Sequence, residues 1–128
     1  MPLVRLAFLA GKSAAWRVAV SDAVQQAMVE NIGVPPADRF HVLSEHAPGF
    51  LMVDPTFLGV ARSDDPLLVQ ITLRAGRTDD QKRALYRRLT GLLADDPGVR
   101  PEDVMISLVE NALIDWSFGA GVAHYVPG

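Results

Sequence analysis

Leu67-Leu68-Val69-Gln70-Ile71-Thr72-Leu73-Arg74-Ala75-Gly76-Arg77-Thr78 decides the fold of this chain, because its pattern occurs twice. Pro2-Leu3-Val4-Arg5-Leu6-Ala7-Phe8-Leu9-Ala10-Gly11-Lys12-Ser13 has the same apolar run, the same Ala-Gly, a basic residue and a hydroxyl. The register holds without a gap through the rest of both halves. Leu3, Val4, Ala10, Gly11 and Ala19 recur as Leu68, Val69, Ala75, Gly76 and Ala84. Gly33, Val34, Pro36, Asp38, Leu43 and Glu45 recur as Gly98, Val99, Pro101, Asp103, Leu108 and Glu110. A unit seen twice is a duplicated supersecondary motif; a solenoid needs at least about three copies.

Each copy reads as three parts. Pro2–Leu9 and Leu67–Leu73 are apolar runs of strand length. Ser13 and Thr78 are placed to cap the helices Ala14–Ile32 and Asp79–Leu93. In the second helix Leu85, Leu89, Leu92 and Leu93 share one face, with Lys82, Arg83, Arg87 and Arg88 elsewhere. Gly33 and Gly98 are expected to close the helices in the left-handed conformation. Arg39–Glu45 and Val104–Glu110 complete the units as strands.

The reading is βαβ–βαβ, an α+β fold. Within each unit the strands should pair in parallel across a right-handed helical crossover. Two units make a four-stranded sheet with both helices on one face. Strands as apolar as Leu67–Leu73 should not leave the other face to water, so oligomerisation through it is expected. Residues 1–128 are read as one domain, with halves 2–46 and 67–110 and a segment 111–128 that carries Trp116, Phe118 and Tyr125. Between the halves, residues 47–65 are rich in Pro, Gly and Asp.

Composition narrows the function. Of the 128 residues 49% are hydrophobic and 21% charged, as in ordinary globular proteins. A net charge of -3 disfavours nucleic acid or an anionic membrane as partner. With no cysteine there is no disulfide, thiolate metal site or cysteine nucleophile. Arg5 and Lys12 interrupt the first apolar run, which is too short for a signal peptide, and no run has transmembrane length; a cytoplasmic protein is expected. Gly11-Lys12-Ser13 resembles the end of a phosphate-binding loop, but Leu6 stands where that loop needs glycine. His41, His46 and His124 lack metal-ligand spacing, so no metal is expected.

Several stretches carry a family resemblance: Met1-Pro2-Leu3 opening a strand, Gly33-Val34-Pro35 with Asp38-Arg39, and Ser44-x-His46-x-Pro48-Gly49. Asp80-Gln81-Lys82 and the string Val109-Glu110-Asn111…Asp115-Trp116-Ser117-Phe118-Gly119-x-Gly121 add to it. Over nearly its whole length the chain resembles the malonate semialdehyde decarboxylase family of the tautomerase superfamily. Met-Pro alone is weak, whereas the Asp-Trp-Ser-Phe-Gly-x-Gly string is fairly specific. The resemblance implies a homotrimer with sites near the subunit interfaces and no cofactor. It implies a catalytic amine on Pro2 after removal of Met1, Asp38 as its acidic partner, Arg74 and Arg77 as carboxylate binders, and Trp116 and Phe118 as pocket walls. Ala75 and Gly76 separate the two arginines, a spacing that resembles the related chloroacrylate dehalogenase branch.

Each assignment competes with a structural one. Met1-Pro2 is otherwise a plain strand start. Asp38, with Asp103 in the same Pro-x-Asp context, is otherwise a turn residue bonded to its own backbone. Arg74 and Arg77 are otherwise solvated charges, and Trp116 and Phe118 otherwise core or interface. For the functional reading, an exposed terminal amine has a pKa of about 8. Burial lowers it toward a neutral base, and a carboxylate such as Asp38 raises it toward a cation that polarises a carbonyl. Asp38 favours the second setting, and would orient Pro2 or activate water. Decarboxylation or hydration of a small carboxylate, a 3-oxo or unsaturated acid, is the leading expectation. Protonated Pro2 would stabilise the developing enolate, or neutral Pro2 would form an iminium ion with the carbonyl. Keto–enol tautomerisation of a phenylpyruvate-like substrate is the alternative. A non-catalytic trimeric binding protein is the third reading, favoured if Met1 is retained.

Overall fold

The computed structural model describes residues 1–128 and orders them as β1 (Leu3–Leu9), α1 (Ala14–Ile32), β2 (His41–His46), β3 (Leu67–Arg74), α2 (Asp79–Asp95) and β4 (Val104–Asn111). Short 3-10 turns lie at Phe57–Gly59, Pro101–Asp103 and Leu113–Asp115. The strands form a four-stranded sheet in the order β2-β1-β3-β4. β1 pairs in parallel with β2, β3 in parallel with β4, and β1 runs antiparallel to β3 at the centre. This is the duplicated βαβ sheet read from the sequence. No helix is long and apolar enough to cross a membrane.

Local chemistry sets the element boundaries. The Ser13 hydroxyl accepts from the Trp16 N–H, and Thr78 forms a reciprocal capping box with Gln81. α1 ends at Gly33, whose φ of 71° is the left-handed conformation that favours glycine. Gly98 departs from this pattern. α2 continues to Asp95, so Gly98 lies beyond the helix end, although its N–H still donates to the Leu93 carbonyl at 2.9 Å. The second strand of the first unit begins at His41 rather than Arg39. Residues 35–39 are occupied by a turn in which the Asp38 N–H donates to Pro35 O and the Arg39 N–H to Ala37 O, so their backbone is not free to pair.

Strand alternation turns Val4, Leu6 and Phe8 from β1, with Leu67, Val69, Ile71 and Leu73 from β3, onto one face. There they are buried with Val24, Met28, Leu85 and Leu89 of the helices. Each such side chain contributes roughly 1.5–3 kcal/mol of transfer free energy. The other face is mixed, and it carries exposed Val42, Met105 and Val109 beside polar residues. The same alternation leaves Arg5, Gln70, Thr72 and Leu68 on the other side, with Arg5 and Gln70 exposed. Further exposed apolar surface lies on Phe50, Met52, Phe57 and Leu58 between the halves, where Met52 is 86% and Leu58 83% exposed.

Candidate active site

The antiparallel pairing of β1 with β3 brings the first candidate residues together. Leu3 stands opposite Thr72. Continued outward, that register sets Pro2 beside Leu73 and Met1 beside Arg74, so the chain's amino terminus lies at the carboxyl end of β3. Pro2 is buried. The 35–38 turn, between α1 and β2, supplies a carboxylate to the same end. Asp38 Oδ2 lies 3.9 Å from the Met1 nitrogen, and the two side chains are only 12% and 15% exposed. Asp38 Oδ1 is buried with no hydrogen-bond partner. Asp38 therefore does not make the side-chain bond to its own backbone that a structural turn aspartate would make.

The arginines occupy the other side of the terminus. Arg74 and Arg77, with Ile32, Gly33, Gly76 and Gln81, line a cleft of about 390 Å³ at the start of α2. Gly76 makes the bend at φ 127°, a conformation that a side chain would strain. The helix start adds partial positive charge to that of the arginines. Arg77 is partly committed to backbone. Its Nε and Nη2 donate to Ile32 O at 3.2 and 3.1 Å, and its Nη1 donates to Arg74 O at 3.2 Å. This clamps the carboxyl end of α1 to the β3–α2 loop and leaves Arg77 one N–H on each terminal nitrogen for a ligand. Arg74 is exposed, with its guanidinium 5.7 Å from the centre of the Tyr125 ring.

The final segment closes the aromatic side. Trp116 and Phe118 stack at 5.6 Å with an interplanar angle of 19°. Tyr125 meets Phe118 edge-on at 5.2 Å, and Phe40 lies 6.3 Å from Phe118. The Trp116 indole N–H donates to Asn111 Oδ1 at 2.8 Å, and the Ala75 N–H donates to Asn111 O at 2.9 Å. Asn111 thus ties the aromatic wall to the arginine loop. Asn111 and Tyr125 are not among the site residues that the sequence predicts. Their aromatic or amide character beside Trp116 was a signal, whereas their partners depend on the fold of the last eighteen residues.

Electrostatics here run partly against expectation. Burial lowers the pKa of the amine on Met1, Asp38 pulls it up, and Arg77 and Arg74 push it down; the net is below the ordinary 8.0. Asp38 alone therefore does not dictate a cation at this position. The Asp38 carboxyl is itself raised above 3.8, first by burial and against the pull of the amine. Burial, then Arg74, lowers Arg77 from its ordinary value.

A partly buried terminus, a carboxylate with one orphaned oxygen, two guanidinium groups and an aromatic wall thus sit on a duplicated βαβ sheet. The chain belongs to the tautomerase family: models of tautomerase enzymes match residues 2–61 and 38–119. A probable tautomerase of Bacillus subtilis, YusQ, is 38% identical over 98% of this chain and 99% of its own. Among solved structures, a malonate semialdehyde decarboxylase described for its decarboxylase and hydratase activities is 39% identical. It superposes with a TM-score of 0.90 over 96% of this chain and 95% of that one. A fused 4-OT symmetric trimer is 28% identical, with a TM-score of 0.76 over 94% of each chain.

Proposed function

We propose that this tautomerase-family enzyme is a cofactor-independent decarboxylase, with accompanying hydratase capacity, acting on a small 3-oxo acid such as malonate semialdehyde. The observation that carries the reading is the amino terminus held between an unpartnered carboxylate, Asp38, and the guanidinium groups of Arg74 and Arg77. Loss of Met1 transfers the free amine to Pro2, one residue further into this environment.

Arg74, with the spare N–H groups of Arg77, would hold the substrate carboxylate. Its orientation would align the scissile C–C bond perpendicular to the carbonyl plane. As carbon dioxide leaves, the bonding pair moves into the enolate. A protonated Pro2 would donate its N–H to the carbonyl oxygen, or a neutral one would first form the iminium ion with the aldehyde. On the first route protonation of the enolate carbon completes the reaction. On the second the enamine carbon takes the proton, and water then hydrolyses the iminium to release the aldehyde and free Pro2. Trp116 and Phe118 would keep water from the carboxylate, which favours its conversion to an uncharged product. Asp38 would orient the amine or, in hydration, accept a proton from water.

The same burial and arginines that lower the pKa of the Met1 amine favour a second reading, in which they would keep the Pro2 amine neutral as the base of a phenylpyruvate-type keto–enol tautomerase. Both readings expect a homotrimer. Met52, Phe57, Leu68 and Met105 line one apolar hollow that neighbouring copies would cover.

The deciding experiment is intact-mass analysis with and without 3-bromopropiolate, an electrophilic carboxylate, followed by assays on both substrates. Loss of Met1, one adduct on Pro2 and carbon dioxide release from malonate semialdehyde support the decarboxylase. Labelling with turnover of phenylpyruvate alone transfers the assignment to the tautomerase. A retained Met1 or an unlabelled Pro2 defeats both.

A further inference from the structure

We propose that Gln25 is a positioning residue of this site: its buried amide holds the 35–38 turn so that the Asp38 carboxylate faces the amino terminus. The inference rests on the functional reading above and adds a residue that makes no contact with the substrate.

Gln25 sits in the middle of α1 and is only 3% exposed, beside Val24, Ala27 and Met28, where an apolar residue would be ordinary. Its Nε2 donates to Asp38 O at 2.9 Å and lies 3.4 Å from both Pro35 O and Pro36 O. The turn needs this donor because its two prolines have no N–H. Its own backbone bonds run from Asp38 N–H to Pro35 O and from Arg39 N–H to Ala37 O, leaving the Pro36 and Asp38 carbonyls to the Gln25 amide.

The Asp38 side chain makes no hydrogen bond that would fix it. Oδ1 is orphaned and Oδ2 has only the terminal nitrogen at 3.9 Å. The backbone beneath therefore determines where the carboxylate points, and Gln25 determines that backbone. The far end of the turn is tied to the same helix, through Arg39 Nη1 donating to Asp22 at 2.6 Å and to Ser21 at 3.2 Å. The second unit lacks the device. Its equivalent of Gln25 is Thr90, whose hydroxyl donates to Tyr86 O and Arg87 O within α2.

Gln25→Met keeps the volume and removes the donor. In the processed protein we expect the pH midpoint for 3-bromopropiolate labelling of the terminal amine to fall, because the carboxylate no longer favours the cation. Asp38→Asn should move it further in the same direction. Turnover efficiency should drop on the order of tenfold to a hundredfold, with KM little changed because Arg74 is untouched. Adding Gln25→Met to Asp38→Asn should then change little, since the two act through one group. A folded Gln25→Met protein with the wild-type labelling midpoint would overturn the proposal, as would an equal effect in both backgrounds. If Gln25→Met does not fold, Gln25→Asn, which keeps a shorter amide, should show the same shifts in weaker form and is judged identically. A wild-type terminus that resists labelling would defeat the functional reading instead. Carbon-13 titration of the Asp38 carboxyl would still decide the matter: a midpoint moved by Gln25→Met, as burial and the pull of the amine change, supports the positioning role, and an unchanged one refutes it.

Discussion

The two ends of the sheet are built from the same repeat and have diverged. At one end the start of β1, the turn before β2 and the end of β3 present Pro2, Asp38, Arg74 and Arg77. At the other the repeat presents Leu67, Asp103, Leu9 and Lys12. There Leu67 is buried in the core, and Lys12 pairs with Asp65 at 2.5 Å. Asp103 is fully engaged, accepting from the Ser63 N–H at 2.7 Å and the Ser63 hydroxyl at 2.6 Å. Asp38, its counterpart, has one oxygen with no partner and the other turned to the terminus. The repeat holds two equivalent carboxylates; one is closed by a loop serine and the other has an oxygen left without a partner.

The sharpest way to break this comparison is to neutralise each aspartate. Asp38→Asn should reduce turnover on the order of 10²–10⁴-fold, the range for a lost acid–base group. It should also raise the melting temperature at pH 7. The folded pKa of Asp38 lies above its unfolded value, so its stabilising protonation is complete only below about 3.8 and is lost as pH rises through the folded value. At neutral pH the ionised, partly buried carboxylate is a net cost. Asp103→Leu should do the reverse, leaving a buried N–H unmet at a cost of about 1–3 kcal/mol while the folded fraction keeps its activity. Thermal denaturation and steady-state kinetics on both variants check this. Similar profiles for the two would mean that the ends are not specialised.

The arginines allow a finer cut. Arg74→Leu installs the apolar character of Leu9 and removes the exposed guanidinium. KM should rise about tenfold to a hundredfold, the loss of one or two charge-assisted hydrogen bonds, with an unchanged melting temperature. Arg77→Lys keeps the charge of Lys12 but cannot span Ile32 O and Arg74 O together. It should lower stability by about 1–2 kcal/mol and raise KM less than Arg74→Leu. If Arg77→Lys proves the more damaging to KM, the clamp is secondary and Arg77 is the main carboxylate ligand.

The fold was legible because its determinants are local or periodic. The repeat, the Ser13 and Thr78 caps and the apolar strand at β3 all survive into the structure. What failed were boundaries governed by neighbours in space. α2 runs past its expected end at Leu93 to Asp95, and Gly98 keeps the expected positive φ of 98° beyond it. β2 begins at His41 instead of Arg39 because the 35–39 turn occupies that backbone. The site was only partly legible. Pro2, Asp38 and the arginines stood out through a family pattern, but nothing local distinguishes Asp38 from Asp103. The difference lies in Ser63, forty residues from Asp103 in sequence. Gln25 was hidden because one polar residue on a largely apolar helix face carries no signal until the turn it serves is in place.

The smallest expected effect concerns His41, whose repeat counterpart is Ile106. The imidazole shares a 2.7 Å hydrogen bond with Ser21 through Nδ1, and its Nε2 is buried without a partner. Burial, aided by Arg39 and opposed by Asp22, lowers its pKa from 6.5 to about 4. A neutral His41 thus favours the folded chain above pH 6.5, and this contribution is lost as pH falls through about 4. The slope is at most about 1.4 kcal/mol per pH unit, reduced by solvent screening of the half-buried ring. Glu30 and Glu110, held below 4.5 by Arg88 and Lys82, respond at lower pH, whereas Asp38, raised by burial, contributes with opposite sign. The measurement is therefore made in the Asp38→Asn background, where the range from 6.5 to 4.5 reports mainly on His41. His41→Ile, which gives the first unit the residue of the second, should cost a constant amount for the lost Ser21 bond, about 1 kcal/mol. It should also flatten the pH dependence of denaturant stability in that range. A slope that survives the substitution would place the titrating group elsewhere and leave His41 as packing, a role Ile106 already fills in its own unit.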